Sequence, residues 1–536
     1  MTKSPAIPVS ISFAECHRAF LKARRGKRPS VNSLRFQLRW IDRLCRLRDR
    51  LQSGNWQPAP ARAFIVNHPK TREIHAPDFS DRIVHHWLVG QLEPLFEPGF
   101  IHDSYANRSG KGSHAAVDRL QSFMRSRNGQ GWYMQLDIHN FFNSIHRPTL
   151  YARITRCLDR SVHKGRLENA MALMLRSLCH KLLATKVREV VDDPAAAARL
   201  PPHKRLANAP AGCGIPVGNL TSQFFANVYL DALDQFVKHQ LRCRHYVRYV
   251  DDFVLLADDP ATLDAWREAI VDFLRDTLHL TLKQNRVEAG VPVYGLMQPL
   301  TQGIDFLGYR VFTHYRWVRP RVVRHCRAKL THWMRQHARV HSSPPQDVYL
   351  RLKLNTPELV RLRAVVASYW GHFAHANSVR LRRRLWVEFP ALSLLYAMAP
   401  DGSLQPRWIV QGVTLSQQIQ AVRQAWPCAT VLIQEGNRFS VWYPWQDGRN
   451  PALKARIRDK QTGRVLTHYR TTRQPYVVAV QTGWLRHGTR RREVREWWVG
   501  METGPDGQNT VGAGFAPGQT QGERKVFIKQ QRHSVC

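Results

Sequence analysis

Residues 245–257 read HYVRYVDDFVLLA, two apolar runs on either side of Asp251-Asp252. Such a stretch predicts a hairpin with adjacent acids at its turn. Neighbouring carboxylates repel, and each raises the other's pKa. A bound divalent cation removes that cost. A third acid flanked in the same way, Asp137, stands upstream in WYMQLDIHNFF. Three such carboxylates meet the need of a two-metal phosphoryl-transfer site, whose ions sit roughly 3.5–4 Å apart and clamp the attacking and leaving oxygens. An isolated Asp-Asp is an ordinary polar turn. The other motifs of the chain decide between the two readings.

The chain has 536 residues, enough for two to four domains. Its 80 Lys and Arg against 40 Asp and Glu give a formal net charge of +40. A solubilising surface needs far less, so the excess points to a polyanion bound with strong salt dependence. The sequence has no apolar run of about 18 residues, which disfavours membrane binding. Its first residues, MTKSPAIPVSISFAECHRAF, lack the long apolar core of a secretory signal. The nine cysteines are scattered without a CxxC pair, which argues against a zinc site or a disulfide framework and for a reducing cytoplasm. His85-His86 reads as structural or phosphate-facing rather than metal-binding.

Around the acids the chain organises as follows. Residues 14–53 read as helical, with Leu34, Leu38, Ile41, Leu44, Leu47 and Leu51 at helical spacing and arginines between them. Residues 61–77 predict a strand pair around NHPKTRE, and DRIVHHWLVGQLEPLFE a helix stopped near Pro98-Gly99. SYANRSGKGSHAAVDRLQSFM is a loop entering a helix, where Arg108 and Lys111 suit contact with phosphates. A basic insertion precedes GIPVGNLTSQFFANVYL, a tight loop and a helix with Leu220, Phe224 and Val228 facing a core. From about 320 to 390 the chain reads as helical and strongly basic, with Trp333, Tyr369, Trp370 and Trp386 among the arginines, as in a groove following a nucleic-acid backbone. Composition shifts near 399–402. Beyond lie a helix (LSQQIQAVRQAW), short strands (ATVLIQEG, FSVWYPW, RVLTHYR, YVVAVQTGW) and a Gly/Gln-rich tail, read as flexible.

LDIHNFFNSI, GIPVGNLTSQFFANVYL, YVDDFVLL and FLGYR follow one another in the order found in reverse transcriptases, and residues 14–390 resemble that family. The resemblance implies an α+β right-hand polymerase with fingers, a palm built on an antiparallel sheet, and a helical thumb. The matching boundaries are 1–130 for N-terminal helices and fingers, 131–312 for the palm with a basic insertion at 155–213, and 313–398 for the thumb. A small C-terminal α/β module follows at 399–502, then the tail at 503–536. By resemblance, Asp137, Asp251 and Asp252 are catalytic and hold two Mg²⁺ ions, with the Ile138 carbonyl as a further candidate ligand. Arg72 in KTREIH and Lys283 in LTLKQN match residues near the incoming triphosphate. Phe142 matches a steric gate selecting deoxynucleotides, although it also suits a core ring. Val217, Gly218 and Gln223 lie in the substrate loop and the helix after it. Phe306, Leu307, Gly308 and Tyr309 match the primer grip. The partners implied are template RNA, a cDNA or primer strand and deoxynucleoside triphosphates.

SYANRSGKGSH, the insertion RLPPHKRLANAPAGCGIP, Ser222-Gln223 and SYWGHFAHANS are similar to the reverse transcriptases of diversity-generating retroelements. That likeness implies copying of a template-repeat RNA with frequent error opposite adenine, and a small basic accessory protein. Val217 stands where many relatives carry a hydrogen-bonding Gln, so it either loosens the check on the nascent pair or only packs the loop. IQAVRQAWPCATVLIQEGNRFSVWYPWQDG resembles the opening domain of the mismatch-repair protein MutS, with Arg438 departing from that pattern. Antiviral defence reverse transcriptases share these motifs and remain an alternative, as does a non-catalytic RNA-binding scaffold. The intact Asp137, Asp251 and Asp252 argue against the scaffold.

Overall fold

The computed structural model describes the chain except residues 1–8, 27–29, 68–70, 185–188, 289–290, 344–346, 409–413, 436–437, 445–452, 457–475, 481–482, 485–491, 494–495 and 504–536. The strand expected at RVLTHYR and the flexible tail, but for Thr503, lie outside the described residues. The chain divides into two compact units, 1–307 with 311–314, and 308–310 with 315–536.

The first unit is mixed helix and sheet. It opens with α1 (Phe13–Arg24), α2 (Val31–Gln37) and α3 (Trp40–Gln52). A capping box starts α1: Ser12 accepts from the Glu15 N–H, and the Glu15 carboxylate takes the Ser12 N–H at 2.9 Å. The leucine stripe expected over one helix is cut at Leu38–Arg39. Leu44, Leu47 and Leu51 are buried, whereas Leu34, Leu38 and Ile41 are exposed. Strands β1 (Ala61–Val66) and β2 (Arg72–Ala76) form the expected antiparallel hairpin, followed by α4 (Phe79–Phe96) and α5 (Ser113–Ser126). Next come β3 (Trp132–Asp137), the single turn α6 (Phe141–Ser144), α7 (Arg147–His163) and α8 (Asn169–Leu183). The insertion is therefore largely helical. Its short β4 (Glu189–Val191) joins β1 in parallel, and α9 (Pro194–Ala198) follows. Then come α10 (Leu220–Gln235), β5 (Tyr246–Tyr249), β6 (Asp252–Ala257), α11 (Pro260–Leu278), β7 (Gln284–Glu288), β8 (Val291–Tyr294) and β9 (Leu296–Pro299).

The central sheet has the order β5-β6-β3-β9, antiparallel throughout. Phe253, Leu255, Met134 and Leu136 are buried in the core beneath it together with Phe225, Tyr229 and Leu233 of α10. Exposed Asp259 is the N-cap of α11 and accepts from the Thr262 N–H at 2.8 Å.

Two titratable groups sit one turn apart on α4, both buried. Burial pushes the Asp81 carboxyl up to about 6, although Ala59 N–H and Trp56 Nε1 donate to it. Burial pushes His85 down to about 4, and its Nδ1 is hydrogen-bonded with Thr221 of α10 at 2.9 Å. The signs oppose. The Asp81 contribution to stability is complete below its unfolded pKa near 3.8 and is lost as pH rises through about 6. The His85 contribution is complete above 6.5 and is lost as pH falls through about 4. Each corresponds to roughly 3 kcal/mol, so the two nearly cancel between pH 4 and 6. Asp81→Asn is expected to gain stability relative to wild type as pH rises across that window, and His85→Gln to lose it. Urea unfolding at several pH values checks both; parallel curves for all three proteins would refute the assignment.

In the second unit, helices Pro320–His337, Thr356–Ala374 and Val379–Glu388 agree with the helical reading of 320–390, but a hairpin interrupts it. Strands Ala338–Ser343 and Asp347–Asn355 pair with each other, and the second pairs with Glu496–Thr503. They extend a seven-stranded sheet that also holds Tyr476–Val480, Thr430–Glu435, Arg438–Trp442 and Leu453–Arg456. Strands from both sides of the boundary expected at 398–399 therefore belong to one sheet.

Candidate active site

The cross-strand register fixes the acids. Asp137 at the end of β3 pairs with Asp252 at the start of β6, and Asp252 pairs with Tyr249 of β5. Directly opposed residues in an antiparallel pair lie about 4.5–5.5 Å apart at Cα and share a face. Asp251 occupies the hairpin turn after Val250, whose φ is 57°. A β-branched residue in the left-handed region is strained and persists only where its surroundings hold it.

Donors reach two of the acids. Gln135 Nε2 donates to Asp252 Oδ1 at 3.0 Å. Lys283 Nζ lies 3.4 Å from Asp137 Oδ2, and its backbone N–H donates to the Asp137 carbonyl at 2.7 Å. The Asp251 carbonyl accepts from Ile138 N–H at 3.3 Å, tying the turn to the residue after Asp137. The Asp137 side chain is 40% exposed, so its carboxylate meets solvent. The donor set is hard oxygen and suits a divalent ion such as Mg²⁺. The side chains are not gathered into a finished cage: among the described residues no group of three or more His, Cys, Asp or Glu is arranged to hold a metal ion. The Asp137 and Asp252 carboxylates are instead engaged by the Lys283 ammonium and the Gln135 amide.

A second set of predicted residues gathers around β2. The Val217 carbonyl accepts from His75 N–H at 2.8 Å. Gly218 has φ +121°, and a Cβ there would lie 2.9 Å from the His75 carbonyl oxygen and 3.0 Å from Ile74 Cγ2. Only glycine fits that approach. Ile215 N–H donates to the Phe142 carbonyl at 3.0 Å, and Gly214 N–H to that of Ile145 at 2.9 Å. The loop 214–218 thus joins β2, which begins at exposed Arg72, to α6, which carries Phe142. The Phe142 ring is half-buried, packed against the core and edge-on to Phe141. Gln223 is half-buried in the first turn of α10. The insertion closes on the same region. The His203 carbonyl accepts from Asn143 Nδ2 at 3.1 Å, and buried Glu73 accepts from Leu206 N–H at 2.8 Å.

Four expected nucleic-acid contacts are placed differently. The Arg108 side chain is only 6% exposed. Its guanidinium binds Glu97 at 2.8 Å and the carbonyls of Ile101 at 2.6 Å and Ser104 at 2.8 Å, so it braces its own loop. Lys111 donates to the His102 carbonyl at 2.9 Å and lies over the Tyr105 ring, and burial followed by the Arg108 charge lowers its pKa. Phe306 and Tyr309 are fully buried. Tyr309 stacks on His372 and donates to its carbonyl at 2.7 Å. These two rings are anchors, and the turn between them, Leu307 (φ 46°) and Gly308 (φ 92°), offers backbone rather than side chain. For the two rings interior packing explains the difference, and for the two cations the acceptors of their own loop do.

The sequence reading missed Arg248 and Asp234. A charged residue inside the buried run YVRYV requires a partner. That requirement was the available signal. Asp103 alongside is also buried. Burial works against its charge, but hydrogen bonds from Arg119 and Lys238 and the Lys238 charge hold its carboxyl below the usual range.

Residues 66–311 match the family described as reverse transcriptase (RNA-dependent DNA polymerase). Protein YkfC of Escherichia coli (strain K12) is 24% identical over 338 residues, 56% of this chain and 80% of that protein. Group II intron-encoded protein LtrA of Lactococcus lactis subsp. cremoris is 26% identical over 190 residues, 35% of this chain and 27% of that protein. Among solved structures, apo telomerase from Candida tropicalis truncated from its C-terminal domain aligns at a TM-score of 0.33 and 10% identity, covering 50% of this chain and 58% of that one. Among the described residues no helix is long and apolar enough to cross a membrane. The family match spans β2, the 214–218 loop and all three acids, and residues 66–311 accordingly make up the reverse transcriptase domain of an RNA-directed DNA polymerase.

Proposed function

We propose that this polymerase copies a template-repeat RNA into cDNA with frequent misincorporation opposite adenine, as the enzyme of a diversity-generating retroelement. The observation that carries the chemistry is the register of Asp137 against Asp252 beside the Asp251 turn. Asp137, Asp251, Asp252 and the Ile138 carbonyl are the oxygen donors for two Mg²⁺ ions. When bound, such ions acidify a primer 3′-hydroxyl and stabilise a leaving pyrophosphate. Arg72 and Lys283 offer cations to the triphosphate. Phe142 sets its ring against the ribose 2′-position, with Gly218 and Gln223 along the same nucleotide path. The backbone of Leu307 and Gly308, framed by Phe306 and Tyr309, supports the primer end. In this reading residues 1–130 supply the fingers, 131–312 the palm, and 313–398 the thumb; the 399–502 strands bind nucleic acid or a small basic accessory protein.

The retroelement reading is supported by Ser222-Gln223 and by Val217 in the loop on β2. A β-branched apolar side chain gives the nascent base pair no hydrogen bond, so a wrong pair meets less discrimination. The test is sequencing of cDNA made on the chain's own flanking RNA. Wild type is expected to mutate adenines, and Val217→Gln to reduce that error about tenfold, the worth of one hydrogen bond. Unchanged error in Val217→Gln removes Val217 from the account. Ribonucleotides offered in the same assay test Phe142, because free incorporation by wild type excludes a gate. A second reading, an intron-associated enzyme, is favoured by the likeness to the intron-encoded LtrA and to the nuclear intron maturase 1 of Arabidopsis thaliana. Faithful copying of adenines would support it over the first.

A further inference from the structure

Behind the acidic turn lies an ion pair that the polymerase motifs do not mention. Arg248 of β5 and Asp234 of α10 are 1% and 0% exposed. They meet through two parallel bonds, Nε to Oδ1 at 2.7 Å and Nη2 to Oδ2 at 2.6 Å. Tyr246 donates its hydroxyl to the same carboxylate at 2.8 Å. The other N–H groups of the guanidinium face Ser104 Oγ at 3.0 Å, Asn227 Oδ1 at 3.5 Å and the Val250 carbonyl at 2.9 Å. All five donors of the arginine therefore have acceptors. Burial opposes its charge, and the attraction and hydrogen bonds of Asp234 more than restore it, so its pKa is raised.

A buried pair of this kind does not explain itself by stability, because apolar residues of similar volume often serve as well. Its last bond shows what it does. The Val250 carbonyl belongs to the peptide that joins Val250 to Asp251, and Val250 is the strained residue of the turn. Rotation of that peptide would let Val250 leave the left-handed region and would turn Asp251 with it. The same strand holds a neighbouring segment by its backbone: Arg248 N–H donates to the Asp103 carbonyl, and its carbonyl accepts from Tyr105 N–H, both at 3.0 Å. We infer that Arg248, fixed by Asp234, is a positioning residue that locks the Val250–Asp251 peptide and so orients the carboxylates of the turn toward divalent ions. The inference rests on the polymerase roles given to Asp137, Asp251 and Asp252.

Two variants test it without emptying the site of one charge. The double substitution Arg248→Met, Asp234→Leu removes both charges together and keeps volume. Arg248→Lys keeps the charge paired with Asp234 but has no planar fork to reach Val250 as well. Both are expected to melt within about 5 °C of wild type, since neither leaves a lone buried charge. Binding of Mn²⁺ alone, followed by electron paramagnetic resonance without nucleotide or primer, is expected to weaken about tenfold, the usual loss on removing a group that orients a ligand. Primer extension is expected to lose about 10–100-fold in kcat, with the KM for deoxynucleotides changed less than about threefold. If either folded variant binds Mn²⁺ and extends primers like wild type, Arg248 has no positioning role. If instead wild type extends no primer and Asp251→Asn leaves Mn²⁺ binding untouched, it is the polymerase reading that fails.

Discussion

Asp251→Asn is expected to lower primer extension on an RNA template by about a thousandfold. Divalent ions at a phosphoryl-transfer site supply several kcal/mol of transition-state stabilisation, and each step of about 1.36 kcal/mol is a factor of ten. The amide keeps the size and one oxygen of the side chain but not its charge. The turn loses a like-charge contact with Asp252, so thermal stability is expected to hold or rise. Template–primer affinity, carried by the basic surface, is expected to stay within about twofold, because contacts to the phosphate backbone dominate it. Equal synthesis by the variant and the wild type would remove the turn from the chemistry. A loss that tracks falling affinity or melting temperature would give Asp251 a structural task instead.

Gly218→Ala is expected to have the next largest effect. The new methyl group would meet the His75 carbonyl at 2.9 Å and Ile74 at 3.0 Å, on a backbone whose φ of +121° already disfavours any side chain. His75 cannot yield easily, because its N–H is bonded to the Val217 carbonyl one residue away. The loop must lift from β2, at a cost of about 1–3 kcal/mol. Because the same loop is bonded to the Phe142 carbonyl, lifting it displaces the residues proposed to face the nucleotide, and a shift of about 1 Å can cost 100-fold in rate. Gly110→Ala is the control: Gly110 has φ +69°, and a methyl group there would meet nothing within 4 Å, so it carries a positive-φ penalty, smaller than that at +121°, without the collision. Steady-state kinetics and melting of both variants decide the matter. If Gly218→Ala behaves like Gly110→Ala, the docking of the loop on β2 has no mechanical role.

The acidic site was legible because its signals are local. Two short apolar runs set the strands of 246–257, and the two acids fall between them. Asp137 could be matched to them because β3 carries the same pattern, and the register then placed it opposite Asp252. The Arg248–Asp234 pair was illegible as a contact because it joins a helix to a strand, and no local period links the two. Arg108 misled for a related reason: a cation in a glycine-rich loop looks available until its acceptors, Glu97 and two carbonyls, are known. The pairing of Ala338–Ser343 with Asp347–Asn355 was legible in the sequence. DVYLRLKLN alternates with period two, Val348, Leu350, Leu352 and Leu354 on one side, and Leu352 and Leu354 are buried. Its flanking arginine-rich helices drew the whole stretch into a helical reading.

That hairpin has a consequence for how the chain is made. Strand Asp347–Asn355 is an interior strand only because Glu496–Thr503 lies against it. During synthesis it leaves the ribosome with one side bare, a row of open peptide groups beside leucines, and must wait for the far end of the chain before that side is covered. A shortened enzyme cut at residue 398 would keep it bare permanently, and recombinant fragments designed on motif boundaries would inherit a sticky seam.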